Sequence, residues 1–290
     1  MKKIHVGFLL SYDYIKLKNS IPPVYKMADR IFIAIDSAFL TWSGQQFKVD
    51  SHFFEWLKEF DVDDKIELYY DNFYVPELSA IENDNRERHM LSLKMGIGNW
   101  LIQVDSDEYF INFDNFVKNL RKYDHYLDNP EKTKIQFAGF LINMYKYSDG
   151  GVFFVEKPTR VLAATNYPNY KVARQTKQRI IYTPNILWHE TLARNEKDIE
   201  FKLMNWGHNV DVDVEKFMEK WRSVNISNYQ TLRGFFYMNP KKWKKLQFVK
   251  GDNIEEVSRN LDANKYLPSS FYISYKNFEQ WFKFLFRNRN

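Results

Sequence analysis

Apolar runs and polar breaks alternate along the first two thirds of the chain. Residues 5–10, 31–35, 65–70 and 100–104 form short apolar or alternating segments, which predict strands. Residues 53–60 and 87–95 carry apolar side chains at three- and four-residue spacing, which predicts helices, and Gly96 and Gly98 close the second. Further strands are expected at 135–143, 160–164 and 179–182. Strands separated by helices predict an α/β fold with a mixed, mostly parallel sheet covered by helices on both faces. Ligands of such sheets bind at the carboxyl ends of the strands. Three predicted strands end in suitable polar residues: Ser11, Asp36 and the run Asp105-Ser106-Asp107-Glu108. After about residue 210 the pattern turns helical and basic. The expected division is a domain over 1–215 and a helical, aromatic and basic extension over 216–290.

Composition narrows the class. At 290 residues, 44% hydrophobic and 27% charged, the chain reads as a soluble globular protein, not a disordered, collagenous or coiled-coil one. Only 10 glycines leave little material for a Gly-rich phosphate loop, and the absence of cysteine excludes disulfides, thiolate metal sites and Cys nucleophiles. A net charge of +5 favours anionic partners in general. The opening apolar stretch is too short for a signal sequence, and no apolar run is long enough to span a membrane, so a cytoplasmic protein is expected.

The sharpest chemical signal is Asp105-Ser106-Asp107-Glu108, three carboxylates within four residues after an apolar strand. In extended chain Asp105 and Asp107 point to the same side. Clustered carboxylates repel unless positive charge lies between them, and a divalent cation, Mg²⁺ or Mn²⁺, is the simplest source. The same pattern also describes a solvated acidic turn.

The run from Arg88-His89 through Gly98-Asn99-Trp100 to Asp105-Ser106-Asp107-Glu108 resembles a signature of the family 2-type glycosyltransferases with a GT-A fold. The likeness is greatest to the bacterial enzymes that build lipopolysaccharide core and capsular glycans. A second match lies at Lys177-Gln178-Arg179-Ile180-Ile181-Tyr182, followed by Trp188-His189-Glu190. The resemblance implies a Rossmann-like, nucleotide-diphospho-sugar transferase sheet and a metal-dependent sugar transfer with inversion. The donor would be a UDP- or GDP-linked sugar and the acceptor a glycan or lipid-linked glycan, in cell-surface polysaccharide synthesis. It implies Asp107 and His189 as ligands of Mn²⁺ or Mg²⁺ and Asp105 as a contact to ribose or to a metal-bound water. Asp36 would contact base or ribose, with Ser11 beside it. Arg88, Arg174 or Arg179 would pair with phosphate. Glu190 is the first choice for the base, with Asp149 and Glu156 as alternatives, although Asp149-Gly150-Gly151 also reads as a hairpin turn. The chain departs from the family in Arg-His for Arg-Asn and in Asp36-Ser37-Ala38-Phe39 for the fuller Asp-Asp-Gly-Ser motif.

The C-terminal third carries Lys241-Lys242-Trp243-Lys244-Lys245 and, near helical spacing, Phe271, Tyr275, Phe278, Phe282 and Phe286 with Lys276, Lys283, Arg287 and Arg289. It reads either as a helix packed on the catalytic domain or, over 271–290, as a peripheral membrane contact. His208 is either a further site residue or a structural histidine. Three other classes compete, one of them a non-catalytic sugar-binding module, against which intact Asp107, His189 and Glu190 argue. A nucleic-acid-binding protein would use the basic and aromatic patches, but no recognisable motif for it occurs. A metal-dependent phosphohydrolase or nucleotidyltransferase also clusters aspartates at strand ends. It would want a nucleophilic Asp or a Gly-rich loop after the first strand, where only Asp13 stands.

Overall fold

A computed structural model describes residues 2–205, 213–236, 239 and 242–287. His208, Lys241 and Arg289 lie outside the described residues. The strands are β1 (Ile4–Leu9), β2 (Arg30–Asp36), β3 (Ile66–Asp71), β4 (Trp100–Val104), β5 (Glu108–Phe110), β6 (Ile135–Ser148), β7 (Gly151–Val155), β8 (Thr159–Thr165), β9 (Arg179–His189) and β10 (Leu246–Lys250). The α-helices are α1 (Leu17–Ser20), α2 (Pro22–Tyr25), α3 (Ser51–Phe60), α4 (Ala80–Met95), α5 (Phe113–Arg121), α6 (Glu196–Asn205), α7 (Val214–Ser223), α8 (Ile254–Asn260), α9 (Ala263–Tyr266) and α10 (Ser270–Arg287). Among the described residues the strands form one mixed ten-stranded sheet in the order β10-β7-β6-β8-β4-β1-β2-β3, with β9 paired to β5 and β6. The chain forms two compact units, one of Met1–Gly139, Val161–Asn185 and Pro268–Asn290, the other of Phe140–Arg160 and Ile186–Leu267.

In the first unit β1, β2, β3 and β4 run parallel. Strands β1 and β4 are buried at every position, and β2 at all but its first residue, as continuous apolar runs become when both sheet faces are covered. Helix α4 covers one face, where Leu91 and Met95 join Leu9, Phe32, Ala34 and Leu101 in a core cluster. Gly7 permits this approach: a Cβ there would sit 2.8 Å from Met95 Sδ and 2.9 Å from Leu91 Cδ2. Helix α4 begins seven residues earlier than its apolar spacing predicts, because its first turns bury polar side chains: Asn83, Asp84, Glu87 and Arg88.

Expectation and structure differ in two further places. Strand β9 runs on to His189, well past residue 182; Pro184 sits in it as an exposed residue, which a strand tolerates where no ladder hydrogen bond is needed. The C-terminal third is not wholly helical, since β10 pairs antiparallel with β7.

The second unit is held by an aromatic core of Tyr145, Phe153, Phe217, Trp221, Phe235 and Trp243. Trp243, the centre of the basic patch, is therefore a core residue. Asp149-Gly150 forms the two-residue turn of the β6–β7 hairpin, with Ser148 opposite Gly151 and Gly150 at φ 70°. Lys146 Nζ donates to the carbonyls of Trp221, Arg222 and Val224 at 3.1, 2.8 and 2.9 Å, satisfying acceptors at the end of α7. Lys146→Met leaves these carbonyls without that donor. It is expected to lower the free energy of unfolding by about 1–3 kcal/mol in urea titrations, whereas an unchanged midpoint would show that water replaces the lysine at no cost.

Candidate functional site

The site is built at the carboxyl end of β4. Helix α4 starts on a capping box, with Glu82 Oε2 accepting from the backbone N–H and hydroxyl of Ser79 at 2.9 and 2.6 Å. One turn on, Asn83 ties the helix to the preceding loop: its Oδ1 accepts from Val75 N and its amide donates to the carbonyls of Val75 and Trp42. Gln103, a polar residue within apolar β4, donates to the Arg88 carbonyl at 2.7 Å and to Ser92 Oγ at 2.9 Å. These bonds fix the height of α4 against β4, and so place Arg88 beside Asp105.

A buried ionic network follows. Arg88 Nε donates to Asp84 Oδ1 at 2.5 Å, and its Nη2 lies 2.9 Å from Asp105 Oδ1. Arg174 Nη1 and Nη2 each approach a Glu108 carboxylate oxygen at 2.7 Å, the parallel fork that favours arginine. Arg174 Nη1 also reaches the Gln103 carbonyl at 2.9 Å, and Nη2 lies 3.5 Å from Asp105 Oδ2. Asp105 is thus held between two guanidinium groups. Burial opposes its ionised form, but the charges of Arg174 and Arg88 outweigh burial and hold its carboxyl below the usual range. Arg88 Nη1 is buried with no hydrogen-bond partner.

Two acids nearby shift the other way. Burial, reinforced by the charge of Asp105, raises Asp84 despite Arg88. Burial pushes Glu87 up to about 8, although Trp42 Nε1 donates to its Oε2 at 2.5 Å.

The other expected residues fall in several places. Parallel pairing sets Leu9 opposite Ala34 and Phe8 opposite Val104, so Ser11, Asp36 and Asp105 follow their strands at one edge of the sheet. Asp36 is buried, and its two oxygens accept four backbone N–H groups, from Ala38, Leu40, Phe73 and Tyr74, at 2.9–3.2 Å. That use nearly exhausts a carboxylate's acceptor sites and clamps the loops after β2 and β3. The Ser11 carbonyl accepts from Tyr14 N in the turn that carries Asp13, and Asp13 Oδ1 accepts from Ser106 Oγ at 2.9 Å. Asp107 is buried, and its charge opposes ionisation of Asp105. Arg179 belongs to another part of this unit: it donates to Tyr126 Oη at 3.4 Å and lines a cavity of about 350 Å³.

In the second unit His189 Nδ1 lies 2.8 Å from Asn143 Oδ1, whose amide donates to Thr159 Oγ1 at 3.1 Å. Glu190 is buried and hydrogen-bonded to Tyr147, whose phenol burial and the Glu190 charge push far up. Glu156 Oε1 accepts from Gln247, and Asp149 is the hairpin turn residue.

Among the described residues no group of three or more His, Asp or Glu side chains converges as a metal cage. The counter-charge that sequence reasoning assigned to a cation between the carboxylates is supplied, for Asp105 and Glu108, by Arg88 and Arg174. Sequence reasoning also missed Asp84 and Gln103. Asp84 stands four residues before Arg88, a helical ion-pair spacing. Gln103 is the polar exception in an apolar strand, which a burial argument flags.

No protein-family model matches the chain, and no curated protein does. Several solved structures are distantly similar, two of which follow. TarS residues 1–349 of S. aureus matches with a TM-score of 0.28 and 14% identity, over 50% of this chain and 36% of that one. Mannose-6-phosphate isomerase from Helicobacter pylori matches with a TM-score of 0.30 and 14% identity, over 92% of this chain and 94% of that one. The chain thus spans about a third of the TarS structure's length. Likeness at these scores leaves the description of the chain at a mixed α/β protein, and the site must speak for itself.

Two outcomes follow from the network. Arg174→Met strips Glu108 of its fork and is expected to cost about 3–5 kcal/mol in denaturant unfolding; a loss below about 1 kcal/mol would show a solvated pair. Folding raises the Glu87 pKa from 4.5 to about 8, so its contribution is full below pH 4.5 and is lost as pH rises toward 8. Glu87→Gln is therefore expected to flatten the decline in stability over that window, by up to about 1.4 kcal/mol per pH unit. Equal slopes for variant and wild type would contradict the raised pKa.

Proposed function

We propose that this chain is a glycosyltransferase that moves a sugar, with inversion, from a UDP- or GDP-linked donor to a glycan or lipid-linked acceptor, on a GT-A type sheet. One observation carries the reading: an ionised Asp105, clamped between Arg88 and Arg174, closes β4 beside the point where the strand order reverses. In the order β3-β2-β1-β4 that reversal falls between β1 and β4, the crevice where open α/β sheets bind nucleotides. The Asp13–Ser106 bond joins the two loops that border it.

Each residue has a role in this scheme. Asp105, kept ionised, accepts a ribose hydroxyl. Arg88 and Arg174 position it. Asp36 holds the loops that frame the base. Asp107 keeps the cation role that the sequence resemblance implies; one carboxylate, substrate phosphates and water suit Mg²⁺ or Mn²⁺. When bound, such a cation stabilises charge on the departing diphosphate. His189 as a metal ligand and Glu190 as the acceptor's base are roles that rest on the sequence resemblance alone, and each is tested by itself.

A thermal-shift panel of nucleotide sugars with Mn²⁺ is the direct test. Stabilisation by one UDP- or GDP-sugar, lost on adding chelator and lost in Asp107→Asn, is the expected result. Retained transfer in chelator would remove the cation from the scheme. His189→Ala and Glu190→Gln are expected to lower turnover at least about a hundredfold with unchanged melting; normal turnover would return either residue to a structural role. Release of inorganic phosphate without sugar transfer would favour a phosphohydrolase, with Asp13 its first candidate.

A further inference from the structure

Helix α10 has two unlike faces. Ile273 is buried, Asn277 accepts from Tyr182 N at 2.7 Å and donates to Tyr182 O at 3.0 Å, and Gln280 Oε1 accepts from Ile180 N at 3.3 Å. These contacts seat the helix on β9 within the first unit. On the opposite face Phe271, Tyr275, Phe278, Phe282 and Leu285 are 80%, 55%, 60%, 52% and 43% exposed. At 3.6 residues per turn they fall in one stripe about 80° wide. Isolated exposed apolar residues are ordinary; an unbroken stripe along a five-turn helix marks an interaction surface.

The charges beside the stripe identify the partner. Lys283 lies on its flank, exposed, while Lys276 is paired with Glu279 at 2.7 Å. The cavity that contains Arg179 opens next to the same helix: Trp281, Phe284 and Leu285 form one wall, and Lys132, Lys134, Arg179 and Glu131 contribute to the other. Arg179 Nε is buried with no hydrogen-bond partner. A cationic recess bordered by Trp, beside a wet aromatic stripe, matches a lipid surface in which apolar residues enter the acyl boundary and anionic headgroups meet Lys and Arg. A second copy of the chain would bring the same positive groups against themselves.

We propose that the outer face of α10, with the Lys132–Lys134–Arg179 recess, docks the protein on an anionic lipid bilayer. The helix lies in the plane of the surface, and among the described residues no helix is long and apolar enough to cross it. The proposal rests on this face alone and holds whether or not the chain transfers sugar.

The test is co-sedimentation of the full chain with vesicles of phosphatidylglycerol and phosphatidylcholine, against phosphatidylcholine alone. Binding to the anionic vesicles, weakened by salt and near absent on the neutral ones, is expected. Phe278→Ser with Phe282→Ser, and separately Lys132→Glu with Lys134→Glu, should each weaken it about tenfold or more while circular dichroism is unchanged. Lys132 is exposed, Lys134 is half-buried, and neither belongs to α10, so this pair reports even where the phenylalanine pair perturbs the helix. Equal binding to both vesicle types, or to neither, overturns the proposal. So does a dimer in sedimentation equilibrium that the phenylalanine substitutions dissolve without altering vesicle binding.

Discussion

The placement of Asp105 between Arg88 and Arg174 is the interaction on which the first unit's site depends. Three segments meet there: helix α4, the turn after β4 and, far along the chain, the stretch between β8 and β9. Asp84, Asp105 and Glu108 face two guanidinium groups largely out of water. Removing water from so many charges is costly, and only close, aligned pairing offsets it. Each member therefore demands the others: the carboxylates would repel without the arginines, and the arginines would be stranded without the carboxylates. The bonds of Gln103 to α4 keep the spacing that makes this pairing work.

The same edge of the sheet collects the remaining polar groups. Parallel pairing puts the ends of β1, β2 and β4 side by side, so that short loops deliver Ser11, Asp36 and Asp105 to one rim. Asp36 spends its oxygens on four backbone amides and stiffens that rim. Asp13 and Ser106 link the two loops that border the crevice. These bonds leave the rim stiff, because its carboxylates are already held by backbone amides, a serine hydroxyl and guanidinium groups.

Much of the sheet was legible from residues. The apolar runs of β1, β2 and β4 correspond to strands buried on both faces, and Asp149-Gly150 is the hairpin turn its dipeptide indicates. The start of α4 was not legible from apolar spacing, because its inward side chains there are polar and are satisfied by partners far along the chain. Its capping pair, Ser79 and Glu82, was the available signal. The basic patch around Trp243 hid a core residue: lysines on both sides drew attention to charge, while packing drew the indole inward. Clustered carboxylates call for positive charge, and for Asp105 and Glu108 arginines lie within reach, one of them 66 residues from its partner Glu108.

By itself the sequence determined the alternation of strands and helices, the carboxylate run at the end of β4 and the aromatic, basic character of the last helix. These follow from local pattern, since burial, backbone period and charge are properties of neighbouring residues. The tertiary structure alone decided which charges meet, which backbone amides take up the oxygens of Asp36 and which side of α10 faces water. Those outcomes depend on distances between segments remote in the chain, and a hydrogen bond or ion pair forms only where the fold brings donor and acceptor within about 3 Å.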